Sequence, residues 1–312
     1  MYKSTVYIPQ DSIIEYDFLP RTSSQILYDI RAPYYNGSLG NQKNLVDGYD
    51  PTWVTAGLLF NNSIVDCRSA PVSPVSQTII AAFKVSSLNA PMSLVGCLDS
   101  ESAVTGYAID LNLDRSLSFR VQKRANDANT YFNIVSTAAN SLDLERWYVV
   151  MLRYNANTIE GKINLQNPVS SIFGVDVDTL GSVNNSSGYY LGVEGYSSVH
   201  SSPSSNTGEV LLDGGQTFDS TLFDKNPPNF GEIVLNSQSF ESTQNSIQGS
   251  FDESTFNSTI FNDTTSVNRN IRFIGTMGYA LVYNRYITNL EYAGIFTSLQ
   301  TKLALRGISI TP

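Results

Sequence analysis

Apolar residues in this chain recur mostly at every second position, in short stretches between turn-forming residues, and only near the end at helical spacing. Ile271 to Tyr286 reads as a strand in which Phe273, Met277, Leu281 and Tyr283 alternate with Ile274, Ala280 and Val282, so both faces need covering. Thr288 to Arg306 reads as a helix. Its apolar residues Tyr292, Ile295, Phe296, Leu299 and Leu303 share one face, whereas Asn289, Gln300, Lys302 and Arg306 mostly fall elsewhere. Thr288 and Glu291 form a capping box, Ile287 can staple onto Tyr292, and Gly307 supplies the stop. The helix is expected to cover one face of the last strand and a sheet the other.

Upstream the pattern is strand-like throughout. Runs at Gln25 to Ile30, Thr52 to Phe60, Val75 to Val85, Met92 to Leu98, Val104 to Leu111, Ser116 to Val121, Tyr131 to Val135, Trp147 to Tyr154 and Thr158 to Leu165 are spaced as in a sandwich or barrel. Asn112 to Arg115 and Asn155 to Asn157 have the composition of hairpin turns, and residues 32–51 read as a long loop. The fold class expected is all-β: a two-sheet antiparallel jelly-roll sandwich with one C-terminal helix and a β-rich insertion.

Six segments occur in order: Leu27-Tyr-Asp-Ile-Arg31, Pro51-Thr-Trp-Val54 through Gly57-Leu-Leu-Phe60, Thr78-Ile-Ile-Ala-Ala-Phe-Lys84, Gly106-Tyr-Ala-Ile-Asp-Leu111, Arg146-Trp-Tyr-Val-Val-Met-Leu-Arg-Tyr154 and Gly278-Tyr-Ala-Leu-Val-Tyr-Asn-Arg285. Together they resemble the concanavalin A-like lectin/glucanase superfamily in its laminin-G-like form. The likeness covers about residues 25–195 and 271–307. It implies two curved antiparallel sheets, in a family whose members include sugar-binding modules, glycanases and structural domains, so fold by itself says little of activity. Residues 1–24 are then expected to be an N-terminal extension or attachment arm, 25–195 with 271–312 the sandwich, and 196–270 an insertion.

That insertion repeats a theme at Thr217 to Thr221, Ser239 to Thr243 and Ser250 to Thr255, and Phe251, Phe256 and Phe261 fall five apart, as do Phe218 and Phe223. With Phe240 these rings are too many for a disordered linker, so an ordered arm is expected that buries them against the sandwich or between subunits of a homo-oligomer, a trimer being favoured.

Composition narrows the partners. Of the 312 residues only 15% are charged, with 19 basic against 28 acidic for a net charge of −9, while Tyr (18) and Gly (21) are abundant. No run of Lys or Arg stands out, which disfavours nucleic acid and anionic membranes. No export signal or membrane span is read at the N-terminus or elsewhere. Cys67 and Cys97 read as free thiols.

Catalytic machinery is hard to assemble. His200 is the only histidine and has no nucleophile-elbow context. The resembled glycanases carry alternating acids of Glu-x-Asp-x-x-Glu type; here Asp110 and Asp114 flank a turn, Asp176 and Asp178 lack a third acid, and Glu15 and Asp17 are expected outside the sandwich. Neither a catalytic residue, a metal site nor a cofactor is expected. Glycan binding needs only an exposed aromatic and polar hydrogen-bonding groups, and the 33–51 loop supplies Tyr34, Tyr35, Asn36, Asn44, Asp47 and Tyr49. That inventory fits a glycan and an ordinary loop alike.

These readings point to a non-enzymatic virion surface protein of phage tail-fibre or adhesin type, binding host-surface polysaccharide and assembled with other virion subunits. The alternative is a purely structural virion component without a glycan ligand, with a glycan hydrolase in third place.

Overall fold

The computed structural model describes residues 9, 11–19, 25–31, 35–40, 49–67, 75–97, 106–124, 130–173, 189–193 and 271–312, and four short strands between 210 and 239. The chain divides into two compact units, Met1–His200 with Arg269–Pro312, and Ser201–Asn268. Strands are numbered in chain order.

The alternation read in the sequence produces two antiparallel sheets in the first unit. Among the described residues one sheet has eight strands: in spatial order β14 (Val169–Ile172), β13 (Thr158–Ile163), β12 (Trp147–Tyr154), β7 (Gln77–Val85), β21 (Ile274–Tyr283), β5 (Gly57–Asn61) and β4 (Thr52–Val54), with β1 (Ile14–Asp17) also paired to β21. The other has nine: β11 (Thr130–Ser136), β10 (Leu117–Arg124), β9 (Gly106–Leu111), β8 (Met92–Gly96), β15 (Tyr189–Leu191), β6 (Val65–Cys67), β3 (Gly37–Leu39) and β2 (Ile26–Leu27), with β20 (Ile271–Arg272) running parallel to β8. Ile79, Ala81, Phe83 and Val85 of β7, Val150 and Leu152 of β12, and Ile109, Phe119 and Leu191 opposite them fill one buried core between the sheets. This is an all-β sandwich.

The other face of the eight-stranded sheet is also apolar, and the helix covers it as expected. α1 (Asn289–Ala304) seals Ile80, Ala82, Val149, Met151 and Leu281 beneath Tyr292, Ile295, Phe296, Leu299 and Leu303. Each of these fully buried side chains contributes roughly 2 kcal/mol relative to exposure, so the apolar stripe rather than helix propensity holds the element. The capping box is present: Glu291 N–H donates to Thr288 Oγ1 (3.2 Å) and Thr288 N–H to Glu291 Oε2 (2.7 Å). Gly307, at φ 75°, closes the helix as Ile308 N–H donates to Leu303 O and Gly307 N–H to Ala304 O.

Several expectations need correction. Residues 14–17 are no detached arm, because Ile14 and Tyr16 insert into the core while β1 pairs with Tyr279 to Val282. The apolar alternation of Ile14, Tyr16 and Phe18 outweighs the two acids between them. Thr52 to Phe60 is a hairpin, β4 and β5, and the 32–51 loop contains β3. In β21 a bulge between Met277 and Tyr279 shifts the alternation, so Met277, Ala280 and Val282 face the other sheet while Tyr279, Leu281 and Tyr283 face the helix.

In the second unit β16 (Val210–Leu212) pairs with β17 (Gln216–Phe218), and β18 (Val234–Leu235) with β19 (Gln238–Ser239). Phe218 stands opposite Val210. Phe223, Phe240, Phe251, Phe256 and Phe261 lie outside the described residues.

Candidate functional site

On β9 and β10 alternate residues belong to the core: Tyr107, Ile109 and Leu111, then Leu117, Phe119 and Val121. By the same period of two, Ala108, Asp110, Ser118 and Arg120 lie on the outer face of the nine-stranded sheet. The turn between these strands sets their register. Arg115 takes φ 62°, and Asp114 Oδ1 accepts from Ser116 N–H (3.0 Å) and Oγ (2.7 Å), bonds that hold the Asp114 carboxyl below its usual range.

Register then builds two rows across the sheet. One runs Arg272, Ser93, Asp110, Ser118, Ser136; the other Asp66, Tyr190, Gly96, Ala108, Arg120, Ile134. In the first, Ser93 Oγ donates to Asp110 Oδ1 at 2.6 Å, and Arg120 Nε of the second row donates to Asp110 Oδ2. Asn112 Nδ2 donates to Ser116 Oγ (2.9 Å) and Ser118 Oγ (2.7 Å), and the Ser118 and Ser136 hydroxyls share a 2.9 Å hydrogen bond. Ser93 (0% exposed), Asp110 (2%) and Ser118 (6%) are buried and the Arg120 side chain is 18% exposed, so the charge pair is sheltered and the first row meets solvent at its far end, at Ser136, beside Ile134 (44%) of the second. Arg272 stacks on the Tyr49 ring, 3.9 Å from its centroid, and Nη1 donates to Asn62 O (3.4 Å).

The loop residues named from sequence separate into two groups. Tyr49 meets the outer face through Arg272. Tyr35 packs on the core, and its carbonyl accepts from the Tyr16 hydroxyl, while Asn36 Oδ1 accepts from Asp29 N–H at 2.9 Å. Tyr34, Asn44 and Asp47 lie outside the described residues. Ser93, Ser118, Arg120, Ser136 and Arg272 were not singled out from sequence. The available signal was an acid and a base ten positions apart across a turn already recognised.

The acids Glu15 and Asp17 share one face of β1 beneath the helix. Glu15 pairs with Arg31 (2.6 Å), accepts from the Tyr279 hydroxyl, and meets Lys302 at 3.5 Å. Asp17 pairs with Lys302 (3.0 Å) and Arg306. With side chains 4% and 7% exposed, the two carboxylates clasp the helix to the strand and offer no access to a polysaccharide. Asp176, Asp178 and His200 lie outside the described residues, among which no group of three or more His, Cys, Asp or Glu is placed to hold a metal.

Cys67 and Cys97 form no disulfide and are fully buried. Tyr189 lies opposite Cys67, and β15 separates β6 from β8, so the two cysteines are two strand spacings apart, ~10 Å. A disulfide spans no more than ~7 Å between Cα atoms. Burial pushes the Cys67 thiol pKa up, so it is protonated at neutral pH.

No family model matches the sequence, and no curated protein matches it. Among solved structures, the chain is similar to a Trypanosoma rangeli sialidase in complex with 2,3-difluoro-KDN, at 12% identity and a TM-score of 0.49, over 94% of this chain and 33% of that one. It is also similar to a botulinum neurotoxin serotype D binding domain (9% identity, TM-score 0.43, 92% and 51%) and to the serotype D ligand binding domain in complex with N-acetylneuraminic acid (9%, TM-score 0.44, 92% and 51%). The chain thus spans about a third of the sialidase and about half of the toxin domains.

Proposed function

We propose that this protein is a non-enzymatic glycan-binding protein that engages polysaccharide through the outer face of the nine-stranded sheet. The observation that carries this reading is the graded polar row from the buried Ser93, Asp110 and Ser118, through the half-buried Arg120 and Asn112, to the exposed Ser136. A rigid sheet bearing preset donors and acceptors suits vicinal sugar hydroxyls, and preorganisation lowers the entropy cost of capturing them. The burial and ion pairing of Glu15 and Asp17 favour binding over hydrolysis, since a glycosidase needs two carboxyls within reach of one scissile bond.

The biological setting we propose is a virion surface, with the protein acting as a tail-fibre or adhesin component. The support is compositional: a weakly charged, Ser-, Asn- and Tyr-rich chain with a repetitive Phe-bearing insertion. Homotrimerisation through that insertion belongs to the same proposal. Deleting residues 205–268 and bridging the gap with a short Gly/Ser linker should leave a folded monomer by light scattering; unchanged stoichiometry would remove the insertion from assembly.

A glycan array tests the function. Binding to a polysaccharide that Ile134→Arg abolishes is the expected result, and binding indifferent to that change moves the site off this face. An array without signal favours the purely structural alternative, and release of reducing ends from a bound polysaccharide would make the protein a hydrolase.

A further inference from the structure

The first residues of β12 form a strand edge that a later segment of the chain completes. On one side Trp147, Tyr148 and Val149 pair with Lys84, Phe83 and Ala82 of β7. On the other, β13 pairs with β12 only from Val150 onwards, because Asn164, at φ 48°, turns the chain away after Ile163. Asn164 offers its side chain to the edge instead, and Oδ1 accepts from Val149 N–H at 2.8 Å. Residues 308–311 take the remaining place, with Ile310 in a parallel β-bridge to Trp147.

These four residues alternate as a strand does. Ile308 and Ile310 are 3% and 6% exposed and belong to the apolar cluster of Trp147, Val149, Leu299 and Leu303, whereas Ser309 and Thr311 face solvent. Two side chains fix the register: Gln300 Nε2 donates to Ile310 O (2.7 Å) and Asn164 Nδ2 to Thr311 O (2.8 Å). The edge therefore reads main-chain carbonyls and two aliphatic side chains, which are the recognition elements of strand addition. None of them requires the added strand to come from the same chain.

The segment hangs on a single hinge. Gly307 holds φ 75°, and a Cβ there would meet nothing within 4 Å, so backbone conformation rather than packing reserves the position for glycine. Beyond it the segment is held by two isoleucines, the two side-chain bonds and the bond from Ile308 N–H to Leu303 O. Against these few contacts stands the entropy of ordering the segment, so it detaches before the sheet beneath it unfolds.

We propose that the start of β12 is a strand-addition site that accepts residues 308–311 of a second copy of this chain in exchange for its own. That sequence is the one seated on the edge, and every copy presents both edge and segment, so the exchange is reciprocal and closes on itself. The site lies on the helix-covered side of the sandwich, and the inference does not depend on what binds the nine-stranded sheet.

Gly307→Val tests this in the full chain. It strains only the closed conformation, shifting the opening equilibrium about tenfold, and leaves edge and segment unaltered. A fluorescent peptide of residues 307–312, Gly-Ile-Ser-Ile-Thr-Pro, is titrated by anisotropy against the parent, Gly307→Val, and Gly307→Val combined with Gln300→Ala. Gly307→Val should bind it about tenfold more tightly than the parent, whose own segment competes, and loss of the Gln300 donor should weaken binding about fivefold. By light scattering at rising concentration, Gly307→Val should at least double the parent's mass, and excess peptide should reverse the gain. Equal binding to all three proteins, or none to Gly307→Val, overturns the site. Peptide binding without a gain in mass, or a gain that the peptide leaves unchanged, overturns the exchange.

Discussion

The two sheets of this sandwich carry outer faces of different make-up, one apolar throughout and the other crossed by a polar row beside an apolar one. Behind the eight-stranded sheet lie Ile80, Ala82, Val149, Met151 and Leu281, sealed by α1, with charged groups only at its margins. Behind the nine-stranded sheet, residues at the corresponding alternate positions are Ser93, Asp110 and Arg120, bonded to one another, and Ser118, bonded to Asn112 and Ser136. An apolar sheet face needs only an apolar cover, whereas on the nine-stranded sheet the buried Ser93, Asp110 and Ser118 each need a hydrogen-bond partner and find one in a neighbouring side chain. The contrast separates stability from recognition: the first face should govern folding, the second binding.

The largest effect expected is on the helix-covered face. Leu299 is fully buried, and Leu299→Asp should cost about 4 kcal/mol in chemical denaturation by burying an unpaired carboxylate. Leu290, on the same helix but 85% exposed, is the matched control, and Leu290→Asp should change stability by less than about 0.5 kcal/mol. Gln300, which would pass for a silent position by helical spacing, is a poor control because its Nε2 donates to Ile310 O at 2.7 Å. Equal losses at 290 and 299 would mean that the helix does not dock as described.

Next comes Arg153, whose side chain is 3% exposed and which joins β12 and β13 to the start of the helix. Arg153→Met should cost about 3 kcal/mol, since Glu160, Ile287 O and Asn289 lose their donor together. Adding Glu160→Gln should restore part of that loss. A double variant no better than the single one would show that the carboxylate finds water once Arg153 is gone.

Much of the helix-covered face was legible in the sequence. Thr288, Glu291, the apolar stripe and Gly307 are local signals within a short span, and each acts as its residue type leads one to expect. The last strand was read correctly as apolar on both sides, but the bulge beside Gly278, where a Cβ would meet Trp147 at 3.1 Å and Leu303 at 3.3 Å, reassigns Met277. The clasp on β1 was not legible, because Lys302 finds Glu15 at a separation of 287 positions and only tertiary packing joins them. The polar face of the nine-stranded sheet lies between these cases. Its hairpin was recognised from the turn at Asn112 to Arg115, yet Ser93 and Ser136 come from neighbouring strands whose register the sequence does not state.

On that polar face the effects should be small for folding and large for binding. Ser136 is exposed and Ile134 44% exposed, so Ser136→Ala and Ile134→Arg should leave stability within about 0.5 kcal/mol of the parent. Against any polysaccharide selected on an array, Ile134→Arg should lower affinity at least tenfold, as read by titration calorimetry. A destabilised Ile134→Arg would dissolve the division between the two faces, because it would mean that the nine-stranded sheet also depends on a cover at this position.

The smallest effect expected sits at the margin of the helix-covered face and is visible only through pH. Glu291 accepts from Thr288 N–H and Oγ1 through Oε2, and Oε1 meets Arg285 Nη2 at 2.8 Å. The bond from Arg285 first, then that from the Thr288 backbone, pulls the carboxyl pKa from 4.5 to about 2. A pKa lowered by folding means that the ionised form favours the folded state, so its contribution is complete above the ordinary carboxylate value and disappears as pH falls towards 2. Glu291→Gln keeps the side-chain length but cannot titrate. At pH 6 it should be less stable than the parent by about 1 kcal/mol, the usual size of a helix cap, and the gap should narrow steadily between pH 5 and pH 2. Asp11 also pairs with Arg285, and its lowered pKa makes the parent acid-sensitive in its own right. The difference between the two melting curves is therefore the quantity to follow, and a gap that stays constant with pH would show that Glu291 holds the helix by shape rather than by charge.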